Sequence, residues 1–216
     1  MITTLPIRTD IDSKRKLIDI LYGSGAISFP LQSIDTPYQI NFQSLTSQPR
    51  MLRFVARLIG DLIKNQTFDL IAGPYTDIPL ATTVSLEYNY PMIFVRKERK
   101  QYGREKLVEG SFKQDQKVII VDDEISDIAA TSQLLGRLEG SGLKVIGIYV
   151  LLDRGLGAIE KIEEEGYKCS SILTLNEAFV HLAQSGEINQ GKLQELKKYI
   201  EEQRKELIFK THPLKF

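Results

Sequence analysis

Two adjacent carboxylates follow a run of apolar residues near the middle of the sequence. Asp122 and Asp123 come after residues 118–121, all of which are Val or Ile, and such a run is typical of a buried strand in a parallel sheet. Ligands of these sheets bind at the carboxyl ends of the strands. Paired carboxylates there can accept hydrogen bonds from sugar hydroxyls or hold a divalent cation. The competing interpretation is a helix cap beside a solvated acid.

Further polar segments follow other predicted strands and are expected at the same sheet edge. They are Tyr75 and Thr76 after residues 68–73, a basic stretch at 96–110 after 91–95, and Arg154 after 143–153. An arginine suits recognition of a carboxylate, although Arg154 could equally form a surface ion pair with Glu160. By charge alone, the basic stretch is more typical of a solvated turn.

The elements that must position these groups follow from hydrophobic periodicity. The sequence predicts strands at 26–29, 37–42, 68–73, 91–95, 117–123, 143–153 and 168–175. It predicts helices at 12–22, from Ser47 and Pro49 onward, and at 78–87, 131–139, 158–165, 176–184 and 192–207. Apolar strands that alternate with amphipathic helices indicate an α/β fold with a doubly wound, mostly parallel sheet.

Composition restricts the possible partners and location. The 216 residues suit one domain, and 28 basic residues balance 28 acidic ones, so we expect neither a nucleic-acid partner nor a membrane surface. Cys169 is the single cysteine, which excludes an intrachain disulfide and a Cys-rich metal site. No apolar run approaches the ~18 residues that span a bilayer. We therefore expect a cytoplasmic protein with small-molecule ligands.

Residues 118–131 resemble the signature with which type I phosphoribosyltransferases bind PRPP (5-phospho-α-D-ribosyl 1-diphosphate). In that signature two acids precede a turn rich in Thr and Gly. Other segments resemble orotate phosphoribosyltransferase, in the same order along the chain: the hood strands (29–42), the pyrophosphate loop (68–88), the catalytic loop (94–111), the orotate-site Asp-Arg (149–155) and the last strand and helix (171–182). The resemblance implies an N-terminal helix and small hood at 1–45, a phosphoribosyltransferase core at 46–188, and a C-terminal helix at 189–216 packed on the same domain.

The resemblance also implies an enzyme, a pentosyltransferase of pyrimidine biosynthesis. Orotate would replace the pyrophosphate of PRPP and yield orotidine 5′-monophosphate. Mg²⁺ would enter with PRPP, and Asp122 and Asp123 are the protein groups that could contact it. A homodimer is implied, in which the loop at 97–107 reaches the active site of the neighbouring subunit.

Residue roles carry over by position. Lys100 matches the catalytic lysine, and Asp122 and Asp123 match the acids that receive the ribose 2′- and 3′-hydroxyls. The expected substrate-binding residues are the loop cations Arg96 and Lys97, the orotate-binding Arg154, and the phosphate-side residues Ser126, Thr131, Tyr75 and Thr76.

The loops that should bind phosphate depart from the family pattern. Ile128 occupies a glycine position, where a β-branched residue resists positive φ. Asp127 adds an anion, and at ~5 Å with an effective dielectric of ~20 the repulsion of a phosphate would be about 3 kcal/mol. Other departures are Tyr75, Thr76 and Asp77 in a shortened pyrophosphate loop, Gln32 and Ile34 in the 32–35 hood loop, and Tyr102 for a histidine. They predict a PRPP affinity that is reduced, redirected or lost.

Two other functions remain open at this stage. A catalytically silent nucleotide-binding or regulatory relative would fill the turn at 124–130 with Ile128 or Asp127, whereas an enzyme would keep that turn open. A receiver domain with Asp153 as phosphoacceptor is the third interpretation. It would leave the strands before Lys117 without a role, because a receiver places its paired acids near its own start.

Overall fold

The computed structural model describes residues 10–30, 36–97, 107–126 and 128–211. Its helices are α1 (Ile11–Gly23), α2 (Pro49–Ile63), α3 (Ile78–Tyr88), α4 (Ile128–Glu139), α5 (Ala158–Glu164), α6 (Leu175–Gln184) and α7 (Gln190–Thr211). Its strands are β1 (Ile27–Ser28), β2 (Gln39–Ile40), β3 (Leu70–Pro74), β4 (Met92–Val95), β5 (Val108–Glu109), β6 (Lys117–Ile125), β7 (Lys144–Asp153) and β8 (Lys168–Thr174). A 3₁₀ helix spans Phe42–Ser47.

The described residues form a six-stranded sheet in the order β5-β4-β3-β6-β7-β8, and β1 and β2 form a separate antiparallel pair. Neighbouring strands are parallel throughout the large sheet except at β4 and β5. This arrangement confirms the predicted α/β fold with a small hood. From β3 the chain runs outward to β4 and β5, and from β6 it runs outward to β7 and β8 on the other side. The strand order therefore reverses between β3 and β6, where such sheets bind ligands.

Two hydrophobic clusters lie on opposite faces of the sheet. Alternate residues of β6 enter different clusters, as the period of two in a strand requires: Ile119 and Val121 join the larger one, and Val118 and Ile120 the smaller. The larger cluster includes residues of α1, the hood, α2, α3, α6 and α7, and the smaller includes residues of α4 and α5. Cys169 is buried in the smaller cluster.

Several element boundaries differ from the predictions. The predicted strand at 117–123 continues to Ile125, because Ile125 still pairs with Asp153 of β7. The helix predicted at 131–139 begins at Ile128. Ser47 does not open α2, since its hydroxyl donates to the Ser44 carbonyl and the helix begins at Pro49. β5 lies inside the stretch expected to be a solvated turn.

No helix in the described ranges has both the length and the apolar composition that crossing a membrane requires. The division of the chain at residues 45 and 188 stays a prediction. Helix α7 packs on the rest of the chain through Leu193 and Leu196, which are buried in the same cluster as Leu17 of α1.

Candidate functional site

A cleft of about 540 Å³ opens at the carboxyl ends of β3 and β6, where the strand order reverses. The predicted site residues that line it are Tyr75, Thr76, Asp122, Asp123, Ser126 and Thr131. Other lining residues come from the hood side (Ile40, Asn41, Phe42, Gln43), from the end of β4 (Val95) and from α4 (Ala130, Gln133, Leu134, Arg137). Four separate parts of the sequence thus meet at one concave surface.

The paired acids sit within β6 rather than beyond its end. Asp122 pairs with Val150 of β7, and the Asp123 backbone N–H donates to Asp122 Oδ1 at 2.9 Å. Burial raises the pKa of Asp122 well above its usual range, and the Asp123 carboxylate raises it further. Burial also raises the pKa of Asp123 to about 6, with Glu124 adding to the rise. Both carboxyl groups are therefore short of compensating positive charge.

Asp77 brings a third carboxylate to this pair. It stands at the N-cap position of α3, yet its side chain makes no capping hydrogen bond. One oxygen from each of Asp77, Asp122 and Asp123 lies within 4.8 Å of the others. Burial and, after it, the charges of Asp123 and Asp122 raise the pKa of Asp77 to about 9. The Leu80 amide attracts the carboxylate without forming a capping hydrogen bond, and it opposes the rise only in part. Three carboxylates this close favour a shared proton or a bound cation.

The sequence treated Asp77 only as a loop departure, so its place in the site was missed. The available signal was an acid four residues after the predicted strand at 68–73 and directly before Ile78-Pro79, where a helix is predicted to begin. Gly73 makes the approach of this loop possible. A Cβ at Gly73 would lie 2.7 Å from the Ala81 Cβ, so the end of β3 packs directly on α3.

Arg154 lies beside the cleft and binds one of its lining residues. Its Nε donates to Glu124 Oε2 at 2.8 Å, and its backbone N–H donates to the Ile125 carbonyl. The alternative ion pair with Glu160 is absent from the described contacts, because Glu160 pairs with Arg204 at 2.7 Å. Arg154 is thus held at the turn that follows the paired acids.

The two described loop cations have different surroundings. Arg96 pairs with Glu109 of β5 at 2.9 Å, and its backbone N–H donates to the Leu107 carbonyl. The structure therefore joins Arg96 to the stem of the β4–β5 hairpin, and Arg96 is not among the described cleft-lining residues. Lys97 Nζ lies 5.8 Å from the centre of the Tyr75 ring, a cation–π distance, which places it at the edge of the cleft.

A cation that sequence reasoning missed, Arg137, lines the cleft from α4. Its Nη1 donates to the Arg96 carbonyl and its Nη2 to Gln133 Oε1. Ala130, Gln133, Leu134 and Arg137 share one face of α4, at the spacing that a helical period requires. The helix predicted at 131–139 already contains Gln133, Leu134 and Arg137, but no local pattern indicates that this face meets the cleft.

The altered turn leaves the cleft open where it is described. Ile128 begins α4 and packs against the smaller hydrophobic cluster instead of lining the cleft. Its conformation is helical, and the described non-glycine residues with positive φ are Asn89 and Asp115. The expected strain at Ile128 is therefore wrong. Lys100, Tyr102, Asp127, Gln32 and Ile34 lie outside the described residues.

Proteins of known activity resemble this chain in sequence. Orotate phosphoribosyltransferase from Pyrococcus horikoshii is 35% identical over 173 residues, which cover 77% of this chain and 93% of that protein. Uridine 5′-monophosphate synthase from Bos taurus is 32% identical over 179 residues, 81% of this chain and 37% of that protein. No protein-family model matches the sequence.

Solved structures share the fold. The structure of Leishmania donovani UMP synthase superposes with a TM-score of 0.80 and 26% identity, over 90% of this chain and 43% of that one. Mycobacterium tuberculosis orotate phosphoribosyltransferase in complex with PRPP gives a TM-score of 0.61 and 22% identity, over 78% of this chain and 93% of that one. The chain thus spans less than half of the synthases and nearly all of the shorter enzymes, and with 35% identity to one of the latter it belongs to the orotate phosphoribosyltransferase family.

Proposed function

We propose that this chain is a phosphoribosyltransferase that transfers the phosphoribosyl group of PRPP to orotate. The observation that carries the proposal is the convergence of Asp122, Asp123, Tyr75 and Thr76 on one cleft where the strand order reverses. Family membership gives the substrates, since its named relatives are orotate phosphoribosyltransferases. In the reaction the bond from ribose C1 to pyrophosphate breaks, a bond from C1 to an orotate ring nitrogen forms, and pyrophosphate leaves.

Each part of the cleft has a proposed task. Asp122 and Asp123 accept hydrogen bonds from the ribose hydroxyls and stabilise the positive charge that develops on the sugar as pyrophosphate leaves. Ser126, Thr131 and the first amides of α4 bind the 5′-phosphate. Tyr75 and Thr76 contact pyrophosphate, and Lys97, Arg137 and Lys100 offset its charge. Arg154 binds the orotate carboxylate through the part of its guanidinium that Glu124 does not occupy.

The donor set of the cleft fits a divalent cation. Carboxylate oxygens are ligands that Mg²⁺ prefers. Burial raises the pKa of both Asp122 and Asp123, and a cation bound between them would stabilise their ionised forms. We propose that Mg²⁺ accompanies PRPP and is held on the protein side by these two acids. When bound, it neutralises negative charge on the diphosphate.

We also propose a homodimer in which the segment at 97–107 serves the neighbouring active site. The residues at the two ends of this segment are held together, which would anchor it to the sheet. Arg96 and Leu107 are hydrogen bonded, and the Arg96–Glu109 ion pair fastens β4 to β5. The cytoplasmic location expected from the sequence stays a prediction.

An orotate-consumption assay with PRPP and Mg²⁺ tests the transfer, alongside calorimetry with orotidine 5′-monophosphate. We expect turnover in the native chain and its loss in Lys100→Ala. Lys113→Ala is the matched control, because Lys113 is an exposed lysine in the loop before β6, and it should keep full activity. Binding of the monophosphate without any turnover would instead assign the chain to the silent, nucleotide-binding alternative.

A further inference from the structure

We infer that Asp77, Asp122 and Asp123 form a divalent-cation site that belongs to the protein and fills without PRPP. The inference goes beyond the proposed transfer, since it requires no substrate. It adds Asp77, from the loop after β3, to the two acids of β6. The expected ion is a hard, oxygen-preferring cation such as Mg²⁺ or Mn²⁺.

The spacing of the three carboxylates suits a common ion. Mg²⁺–oxygen distances of about 2.0–2.1 Å place any two oxygens of one coordination sphere no more than roughly 4.2 Å apart. One oxygen from each of Asp77, Asp122 and Asp123 lies within 4.8 Å of the others. A single cation can therefore reach all three with little rearrangement.

The state of Asp77 gives independent support. Asp77 is only 8% exposed, and its Oδ2 atom is fully buried without a hydrogen-bond partner among the described residues. A buried carboxylate oxygen with no partner carries a desolvation cost that folded proteins rarely leave uncompensated. Asp77 stands at the N-cap position of α3, where its Oδ2 takes no part in a capping hydrogen bond. The Asp77 carboxylate instead lies against the carboxylates of β6.

No side chain in the described ranges supplies the missing positive charge. The ion pairs found there include none to Asp77, Asp122 or Asp123, and the nearby Arg154 is paired with Glu124. Lys97 lies over the Tyr75 ring, and Arg137 donates to the Arg96 carbonyl and Gln133. A bound cation would allow the three carboxyl groups to be ionised together, and it would supply a partner for Asp77 Oδ2.

The site predicts an order of events at the cleft. Asp77 belongs to the loop that is proposed to contact pyrophosphate, and its carboxylate lies beside the proposed ribose-binding acids. An ion held there would be in place before PRPP arrives. The remaining coordination positions would face the cleft and be filled by water until the diphosphate replaces it.

Mn²⁺ binding to the full, PRPP-free chain tests the inference. After removal of metals with EDTA, free Mn²⁺ is counted by electron paramagnetic resonance and confirmed by calorimetry. We expect one Mn²⁺ per chain at concentrations up to about 1 mM, competed by Mg²⁺. Asp77→Asn, which keeps the shape and removes the charge, should weaken binding at least ~10-fold.

Asp115→Asn is the matched control. Asp115 lies in an exposed turn with a φ of 66°, a conformation that asparagine also tolerates, and its replacement should leave Mn²⁺ binding unchanged. Asp123→Asn is a second ligand variant, and circular dichroism checks that each variant is folded. Absence of Mn²⁺ binding in the native chain, or equal affinity in the native chain and a folded Asp77→Asn variant, overturns the inference. Neither result depends on orotate transfer, so a chain that binds Mn²⁺ without turnover would contradict only the proposed function.

Discussion

The ion pair with Glu124 fixes the orientation of the Arg154 guanidinium and so limits what Arg154 can bind. Its Nε is engaged by Glu124 at 2.8 Å, and in the described contacts neither Nη atom has a hydrogen-bond partner. The ion pair holds the guanidinium at the turn after the paired acids, with its outer edge available for a ligand carboxylate. A planar fork makes two parallel hydrogen bonds to such a group, which a lysine cannot reproduce.

Arg154→Lys should therefore weaken orotate binding selectively. We expect the KM for orotate to rise roughly 10- to 100-fold, because a bidentate, charge-assisted pair is replaced by a single contact. The kcat and the KM for PRPP should change little, and steady-state kinetics with each substrate varied separately measures the three constants.

Arg204→Lys is the control for this substitution, because Arg204 pairs with Glu160 away from the cleft. It should leave all three constants unchanged. A higher KM for PRPP in Arg154→Lys, with that for orotate unaltered, would place Arg154 on the phosphate side and contradict its assignment.

At the scale of single residues, a site residue could be predicted from the sequence where neighbouring residues alone indicate its position. Asp122 and Asp123 follow an apolar run, so their approach to a sheet edge could be predicted from a few residues. Asp77 could not be assigned in this way, because its importance arises from a distance to residues that are 45 positions away in the chain. Arg137 lies inside the predicted helix at 131–139, but its place at the cleft depends on how α4 packs beside the end of β4, which no local pattern reveals.

Among the elements, α2 and α3 are joined by a three-residue ion pair. Glu87 of α3 accepts hydrogen bonds from Arg53 and Arg57 of α2 at 2.7 and 2.9 Å. Burial by itself raises the pKa of Glu87, but the hydrogen bonds and charges of Arg57 and Arg53 outweigh it and leave the pKa lowered. Because the folded value lies below the unfolded one, this interaction stabilises the fold above the unfolded pKa of ~4.3 and is lost as pH falls through the folded pKa.

Glu87→Gln should lower the free energy of unfolding by about 1–2 kcal/mol at pH 7, since two charge-assisted but partly exposed hydrogen bonds are weakened. The difference from the native chain should shrink as the pH is lowered from 7 to 3, because the native Glu87 loses its charge as the pH falls through its lowered, folded-state pKa. Urea unfolding at both pH values measures this change.

Glu202→Gln provides the comparison, because Glu202 is exposed and lies 3.8 Å from Lys198. Its effect should stay within about 0.5 kcal/mol at either pH. An equal loss of stability by Glu87→Gln at pH 7 and pH 3 would mean that shape, and not charge, joins the two helices.

Long, periodic elements were predictable, and the two-residue strands β1 and β2 fall within predicted strands, whereas β5 does not. The apolar strands and amphipathic helices around the sheet carry a signal over many residues. β5 has two residues, too few to show alternation, and it exists because Val108 and Glu109 pair with β4 across the sheet edge. The last residues of β6 likewise depend on pairing with β7, which no local pattern reveals.

For the whole molecule, the strand order accounts for the position of the cleft. The strand order reverses between the parallel neighbours β3 and β6, so the loops that follow these two strands run to opposite sides and leave space between them. The residue changes in the turn proposed to bind the 5′-phosphate do not close this space where the turn is described, since Ile128 packs against the smaller hydrophobic cluster. This geometry supports an enzyme over a silent relative, as does the family to which the chain belongs.

The proposed dimer makes a prediction about mixed subunits. If Lys100 serves the neighbouring active site, co-expression of Lys100→Ala and Asp123→Asn chains should restore activity although each variant alone is inactive. Random pairing in a two-fold dimer makes half of the dimers mixed, with one intact site each, so about a quarter of native activity is expected. The orotate assay on the co-purified mixture measures it.

If mixed dimers are present but the mixture has no orotate-consuming activity, the two subunits do not share active sites. Differently tagged chains verify that mixed dimers form. The same two variants purified separately and combined without exchange serve as the baseline.

Cys169 has a practical consequence for such experiments. It is the one thiol of the 216 residues, it is buried, and burial raises its pKa to about 12, so at neutral pH it offers almost no thiolate to an alkylating reagent. The native chain should therefore react very little with thiol-directed dyes. A cysteine introduced at an exposed position would take up a fluorophore at a single place, and two chains labelled in this way would report their association by energy transfer.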